Sequence, residues 1–228
     1  MTFSLVAMSR NGRYQAAATA SCSLAVGNAV PAVAPGVGAV VTQAYTNKSF
    51  RHLALDRARK GVPPARILKE LSGLDEGFAK RQVALITSAG TTAVHNGVDC
   101  SPWAGSLEGN HFVVLGNLLA GPAVVENMAE KLREPAQESG SVAGFARQLM
   151  SALLAGQKAG GDMRGQQSAA LTIADNDAPD TSPPELLIDL RVDDAREPLV
   201  ELENLLELWL VDHQSEPAET QVSSARRF

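Results

Sequence analysis

The sequence predicts an α+β protein whose antiparallel sheets are covered by helices, and three observations carry that expectation. Strand-like segments come in clusters separated by helices, in the order strands, two helices, strands, two helices, strands, helix. Strands alternating singly with helices, as in a doubly wound parallel sheet, would look different. Asn11-Gly12 lies between two apolar runs, a strong short-range signal for a hairpin. Aromatic residues are scarce at 4% while Ala, Gly and Val abound, so the layers should pack closely on small side chains.

Each element has its own cue. Residues 2–8 form an apolar run, "NGR" at 11–13 supplies a turn, and "YQAAATA" follows as the second strand. "GVGAVVTQAY" (36–45) reads as a Val-rich buried strand introduced by Pro35-Gly36. "SFRHLALDRARKG" places Phe50, Leu53, Ala54 and Ala58 at helical spacing and stops at Gly61. "PPARILKELSG" opens a helix on proline, puts Ile67, Leu68 and Leu71 on one face, and stops at Gly73.

"QVALITS", Ala89-Gly90 and "TTAVHNG" suggest a second hairpin, and "NHFVVLGN" a further strand. Two helices follow, with Val124, Val125, Met128 and then Phe145, Leu149, Leu153 as their apolar stripes. "QSAALTIA" and "ELLIDLRV" read as strands flanking the polar loop "DNDAPDTSPP". A last helix is expected over 196–211, burying Leu199, Leu202, Leu206 and Trp209. With no repeat and no natural linker, residues 1–213 read as one domain, and 214–228 as a polar, disordered tail.

Composition narrows the function classes. The 228 residues are 45% hydrophobic and 20% charged, as in ordinary soluble domains. With a net charge of −5 and no basic cluster beyond the mixed stretch 57–60, no nucleic-acid partner is expected. No apolar run approaches the ~20 residues of a membrane helix, and no signal-peptide pattern opens the chain. Cys22 and Cys100 make no disulfide framework, which suits a reduced, cytoplasmic setting. His52, His95, His111 and His213 share no ligand spacing, so neither metal nor cofactor is expected. The expected partner is a small-molecule substrate, and a homo-oligomer is compatible with this composition.

The chemistry-bearing candidates begin at the second residue. If Met1 is removed, Thr2 carries a nucleophilic hydroxyl and a free amine, whose pKa of about 7.7–8.0 suits a general base. An ordinary first strand is the competing reading. Such chemistry needs an oxyanion donor and a polar surround, and Ser21, Thr42, Gln43 and Asn117 are polar residues set in otherwise apolar strands. In "GGDMRGQQSAAL", two glycines precede Asp162, Arg164 and Gln167, which could meet a ligand's charged ends or make a structural salt bridge. Asn117 in "GNLLAGP" could donate to an oxyanion or cap a turn. A Cys100–His95 nucleophile pair is conceivable, against the commoner buried free cysteine. The acidic "DLRVDD" could hold a cation, or cap a helix entering near Arg196.

Seven separated motifs taken in order resemble a bacterial family catalogued as domain of unknown function 1028: "MTFSLVA", "ATAS…LAVG", "GVGAVVTQAYTN", "CSPWAG", "GNLLAGP", "GGDMRGQQSAAL" and "DLRVDD". That family is similar to the N-terminal nucleophile hydrolases, which implies a four-layer αββα sandwich with two antiparallel sheets between helix layers. The resemblance implies an amidohydrolase of small amide, ureide or peptide-like substrates, with Thr2 as nucleophile and its amine as base. It makes Asn117 the better oxyanion candidate and Asp162, Arg164 and Gln167 site-lining residues, to which the strand residues Ser21 and Gln43 are added as expected substrate contacts. A non-catalytic ligand-binding or scaffold protein on the same fold is the alternative. Two departures stand out: Met163 replaces the first of two arginines after Gly-Gly-Asp, and Ala195 stands where histidine commonly follows the paired aspartates.

Overall fold

The computed structural model describes residues 2–138 and 140–214. Among them are two antiparallel sheets and five α-helices. The first hairpin joins β1 (Thr2–Met8) to β2 (Tyr14–Ser21), and Gly12 in its turn sits at φ +76°, a conformation that favours glycine. After a 3-10 turn at Val26–Asn28 come β3 (Pro31–Ala34) and β4 (Gly38–Ala44). Helices α1 (Ser49–Arg59) and α2 (Pro64–Ser72) follow, then β5 (Arg81–Thr87), β6 (Thr92–Asn96), β7 (Gly105–Gly109) and β8 (Phe112–Asn117). The chain continues through α3 (Ala123–Arg133), α4 (Val142–Lys158), β9 (Ser168–Asp175), β10 (Ile188–Val192) and α5 (Pro198–Gln214).

One sheet has the order β10-β9-β2-β1-β8-β7 and the other β3-β4-β5-β6. Strand β1 is interior: Thr2 stands opposite Ser21 on one side and Asn117 on the other. The alternation of a strand then decides what each face meets. Phe3, Leu5 and Ala7 enter an apolar cluster with Met128 of α3, Leu149 of α4 and Leu206 of α5. Val6 enters a different cluster with Val113 and Leu115 of its own sheet and Val41, Ala84 and Ile86 of the other. A third cluster joins Val40, Val83 and Leu85 to Phe50 of α1 and Ile67 of α2.

Small residues set the closest contacts. A Cβ at Gly156 of α4 would lie 2.8 Å from Met128 Cγ on α3, so this position requires glycine for the helices to approach. Burying a Leu or Phe side chain contributes roughly 1.5–3 kcal/mol. Phe3, Leu115 and Leu149, all fully buried, are therefore major contributors.

A few elements differ from those the sequence predicts. Strand β3 was not anticipated because it is four residues long and begins at Pro31; it is tolerated at a sheet edge, where a missing N–H costs no ladder bond. Strand β7, bounded by Gly105 and Gly109, lacks strand-forming residues and pairs only with β8. The last helix runs Pro198–Gln214 rather than 196–211, so position 214 closes a helix instead of opening a tail. The rest of the expected tail, 215–228, lies outside the described residues. Among the described residues no helix is long and apolar enough to cross a membrane.

Candidate functional site

The space between the sheets changes character along β1. At one end it is filled by Val6, Ala17, Ile86 and Val113. At the Thr2 end the inward positions are polar: Ser4, Thr19, Gln43 and Gln82 are fully buried, and Ser21 and Asn117 nearly so. Polar groups there cost free energy unless hydrogen-bonded, and these are.

Thr2 itself is 6% exposed, with its Oγ1 3.1 Å from Ser21 Oγ. Its carbonyl oxygen accepts from Gln43 Nε2 at 3.3 Å. Ser4 Oγ is 2.7 Å from Thr19 Oγ1 and donates to Gln43 Oε1 at 2.6 Å. Gln43 Nε2 also donates to Gln82 Oε1 at 2.7 Å, and Asn117 Nδ2 donates to the same oxygen at 3.1 Å. Gln82 Nε2 in turn donates to Asn96 Oδ1 at 2.7 Å and to the Gly116 carbonyl at 2.8 Å. Each partner fixes the orientation of the next amide, so the chain from Ser4 to Asn96 holds Asn117 in one pose.

Beside Asn117 lies a cleft of about 150 Å³, lined also by Ala44, Tyr45, Ser101 and Leu118. Two of its lining residues have left-handed backbone, Ala44 at φ +68° and Leu118 at φ +55°. Non-glycine residues held there cost on the order of 1–2 kcal/mol each, strain that concentrates at functional sites. Tyr45, exposed at the rim of the cleft, has Lys80 Nζ 5.8 Å from its ring centroid, and Arg81 donates to its backbone carbonyl. Arg81 also bonds Asp75, whose carboxyl is pulled down to about 2 by the Arg81 and Asn47 hydrogen bonds.

The "GGDMR" and "GNLLAGP" segments meet here. Leu119 and Asp162 form a β-bridge, and Ala120 N donates to the Gly161 carbonyl at 3.2 Å. Asp162 is 4% exposed, accepting from Cys22 N at 3.0 Å and Arg164 N at 2.8 Å, with Arg164 Nη2 3.4 Å away. Its bond to Cys22 ties it to the residue after Ser21. Gln167 is reached through its backbone, which donates to the Ser21 carbonyl at 2.9 Å, while its side chain donates to Asp194 Oδ1 at 3.1 Å.

The structure thus brings Ser21, Gln43 and Asn117 directly against Thr2, with Asp162 and Arg164 on the adjoining loop. It does not place Gln167's amide among them. Thr42 faces the other side of β4, where its hydroxyl reaches the Asn47 carbonyl at 3.4 Å. Cys100 and His95 do not form a pair: Cys100 Sγ bonds the Arg81 carbonyl at 3.5 Å, and His95 Nε2 the Phe78 carbonyl at 2.9 Å. Burial also pushes the Cys100 thiol up, away from thiolate. In "DLRVDD", Asp189 pairs with Arg191 at 2.9 Å and Asp194 Oδ1 accepts from Gln167 at 3.1 Å. No group of three or more His, Cys, Asp or Glu suited to a metal ion occurs among the described residues.

Gln82, Ser4 and Thr19 belong to the same network and were not singled out from sequence. The available signal was the one that identified Gln43, a polar residue at an inward position of an apolar strand.

The crystal structure of the Silicibacter pomeroyi protein SPO2555, from the same family, is similar at 27% identity and a TM-score of 0.78, covering 91% of this chain and 88% of that one. Looser likeness extends to an Anbu (Gly-1) mutant from Hyphomicrobium sp. strain MC1, at 14% identity and TM-score 0.43 over 97% of this chain and 100% of that one. Anbu (ancestral beta-subunit) from Yersinia bercovieri gives 10% identity and TM-score 0.39 over 95% and 98%. No curated protein matches the chain. The model of the "Family of unknown function (DUF1028)" matches residues 2–202, and the chain belongs to that family.

Proposed function

We propose that this protein is an N-terminal nucleophile amidohydrolase, a single domain on a four-layer αββα sandwich, acting on a small amide, ureide or peptide-like substrate. Support for the layering comes from the three apolar clusters, helices on sheet, sheet on sheet, and sheet on helices. One observation carries the functional reading: a buried chain of side-chain amides converges on the first residue of an interior strand. Apolar residues fill the other end of the same inter-sheet space, so packing alone does not call for polar groups here.

After removal of Met1, the free Thr2 amine takes the hydroxyl proton as Oγ1 attacks the substrate carbonyl. Ser21, 3.1 Å from Oγ1, orients the hydroxyl. The developing oxyanion is met by Asn117, whose amide carries two N–H donors, one of them committed to Gln82. The ammonium returns its proton to the leaving nitrogen as the C–N bond breaks, leaving an ester on Thr2. Water then attacks that ester, releasing a carboxylic acid and restoring the hydroxyl. Asp162 and Arg164 border the substrate, and Gln167 braces the Ser21 strand end through its backbone.

The test is turnover of an amide and ureide panel by protein whose N-terminus is verified as Thr2. Release of acid by that form, and none by Thr2→Ala, supports the reading. Binding of ligands without turnover by a correctly processed chain would point instead to a non-catalytic scaffold.

A further inference from the structure

At the far end of β1 from Thr2 lies a second cavity, of about 350 Å³, between the β1 and β8 ends and the α3–α4 pair. Its buried lining is mainly apolar, from Ala7, Phe112 and Phe145, with Ser9 as the buried polar member, its hydroxyl donating to Asn11 Oδ1 and accepting from Tyr14 N. Its exposed lining includes Arg10 and Arg133, and among the described residues no carboxylate lines it. Those two arginines, with Arg51 and Arg196, are the described arginines that have no carboxylate partner. Arg13, Arg57, Arg59, Arg66, Arg81, Arg147, Arg164 and Arg191 each have a carboxylate partner, in a chain where acids outnumber Lys and Arg by 25 to 20. Arg10 and Arg133 have none among the described residues. Arg10 uses Nη2 to reach the Arg133 carbonyl at 2.8 Å, which leaves most of its five N–H donors uncommitted and draws its guanidinium toward Arg133.

We propose that this cavity is a second ligand site, for a small organic anion with an apolar body, such as an aliphatic carboxylate. The carboxylate takes charge-assisted hydrogen bonds from Arg10 and Arg133, and the apolar body covers Phe112 and Phe145. A cavity of this volume is within the range of small-molecule sites. The arginines' exposure limits electrostatic attraction alone, so the apolar part must contribute for binding to be measurable. An inorganic anion lacks that part.

Titration calorimetry with sodium octanoate, 1-octanol and inorganic phosphate tests this on the full chain. Saturable octanoate binding is expected, with 1-octanol and phosphate each at least about tenfold weaker, and Arg10→Ala and Arg133→Ala each weakening octanoate about tenfold. Both side chains are exposed, so a thermal melt should show both variants folded. Thr2→Ala should leave octanoate affinity unchanged. Absence of saturable octanoate binding overturns the proposal. So does binding indifferent to both arginines, phosphate binding as tight as octanoate, or binding lost in Thr2→Ala, which would place the anion in the other site.

Discussion

Gln82 is the joint of the buried network, and Gln82→Leu tests whether that network holds the Thr2 end of the sheets together. Leucine is similar in volume, so cavity formation is minimal and the effect falls on hydrogen bonding. The substitution removes acceptance from Gln43 Nε2 and Asn117 Nδ2, and donation to Asn96 Oδ1 and the Gly116 carbonyl. Gln43 keeps its bond to the Thr2 carbonyl, and Asn96 keeps its bond to Ser106. The main losses are the Asn117 amide's bond and one lone pair of the Gly116 carbonyl, both on buried residues. At about 1–3 kcal/mol for each buried group left unsatisfied, the expected cost is about 2–6 kcal/mol. For a chain of this size that lowers Tm by about 4–24 °C. Thr42→Val is the control: it is also fully buried but makes a single long bond of 3.4 Å, so its cost should stay below about 1 kcal/mol. Urea unfolding of both variants, at unchanged slope, gives the comparison. If Gln82→Leu is no less stable than Thr42→Val, the network is not what orders this end.

Other expectations follow from neighbouring groups. Asn117→Ala should lower amide turnover by about 10²–10³-fold, as for an oxyanion donor, measured as kcat with protein starting at Thr2. Asp75, with its folded pKa depressed to about 2 from 3.8, contributes stability that is present above its unfolded pKa and lost as pH falls through the window from about 5 to about 2. Its carboxylate is only 9% exposed but sits on a surface loop, so screening reduces the contribution to about 1–2 kcal/mol. Asp75→Asn should flatten that part of the acid limb in urea titrations against pH. Ala44→Gly, at φ +68°, should raise stability by up to about 1 kcal/mol, whereas Ala39→Gly in the same strand should lower it by a similar amount.

Much of this arrangement is legible in the sequence because strand alternation is a simple code. Asn11-Gly12 and Ala89-Gly90 marked two hairpins, and Gly12 and Gly90 both adopt positive φ there. Polar residues inside apolar strands pointed to Ser21, Gln43 and Asn117, which come from three strands and meet at Thr2. The same signal misled at Thr42, because neighbouring strand residues face opposite sides and parity is set only by register. At Gln82, the second residue of β5, the same signal is masked because the residue looks like part of a polar strand entry. Loop side chains were less readable. Gln167 turns to Asp194 although its backbone is in place, a choice made by a residue 27 positions away. Edge strand β3 is too short and opens on proline, and β7 has too few apolar residues, to announce themselves; each forms because a neighbour offers a ladder.

The central claim is that Thr2 carries the acyl group, and acid-quenched mass spectrometry tests it most directly. Protein verified to begin at Thr2 would be mixed with a substrate from the amide panel, quenched during turnover and digested. An acyl mass on the N-terminal peptide is predicted, absent from Thr2→Ala and retained in Thr2→Ser, whose hydroxyl and amine both survive. An acyl group found on Cys100, or turnover by Thr2→Ala at the wild-type rate, would contradict the account.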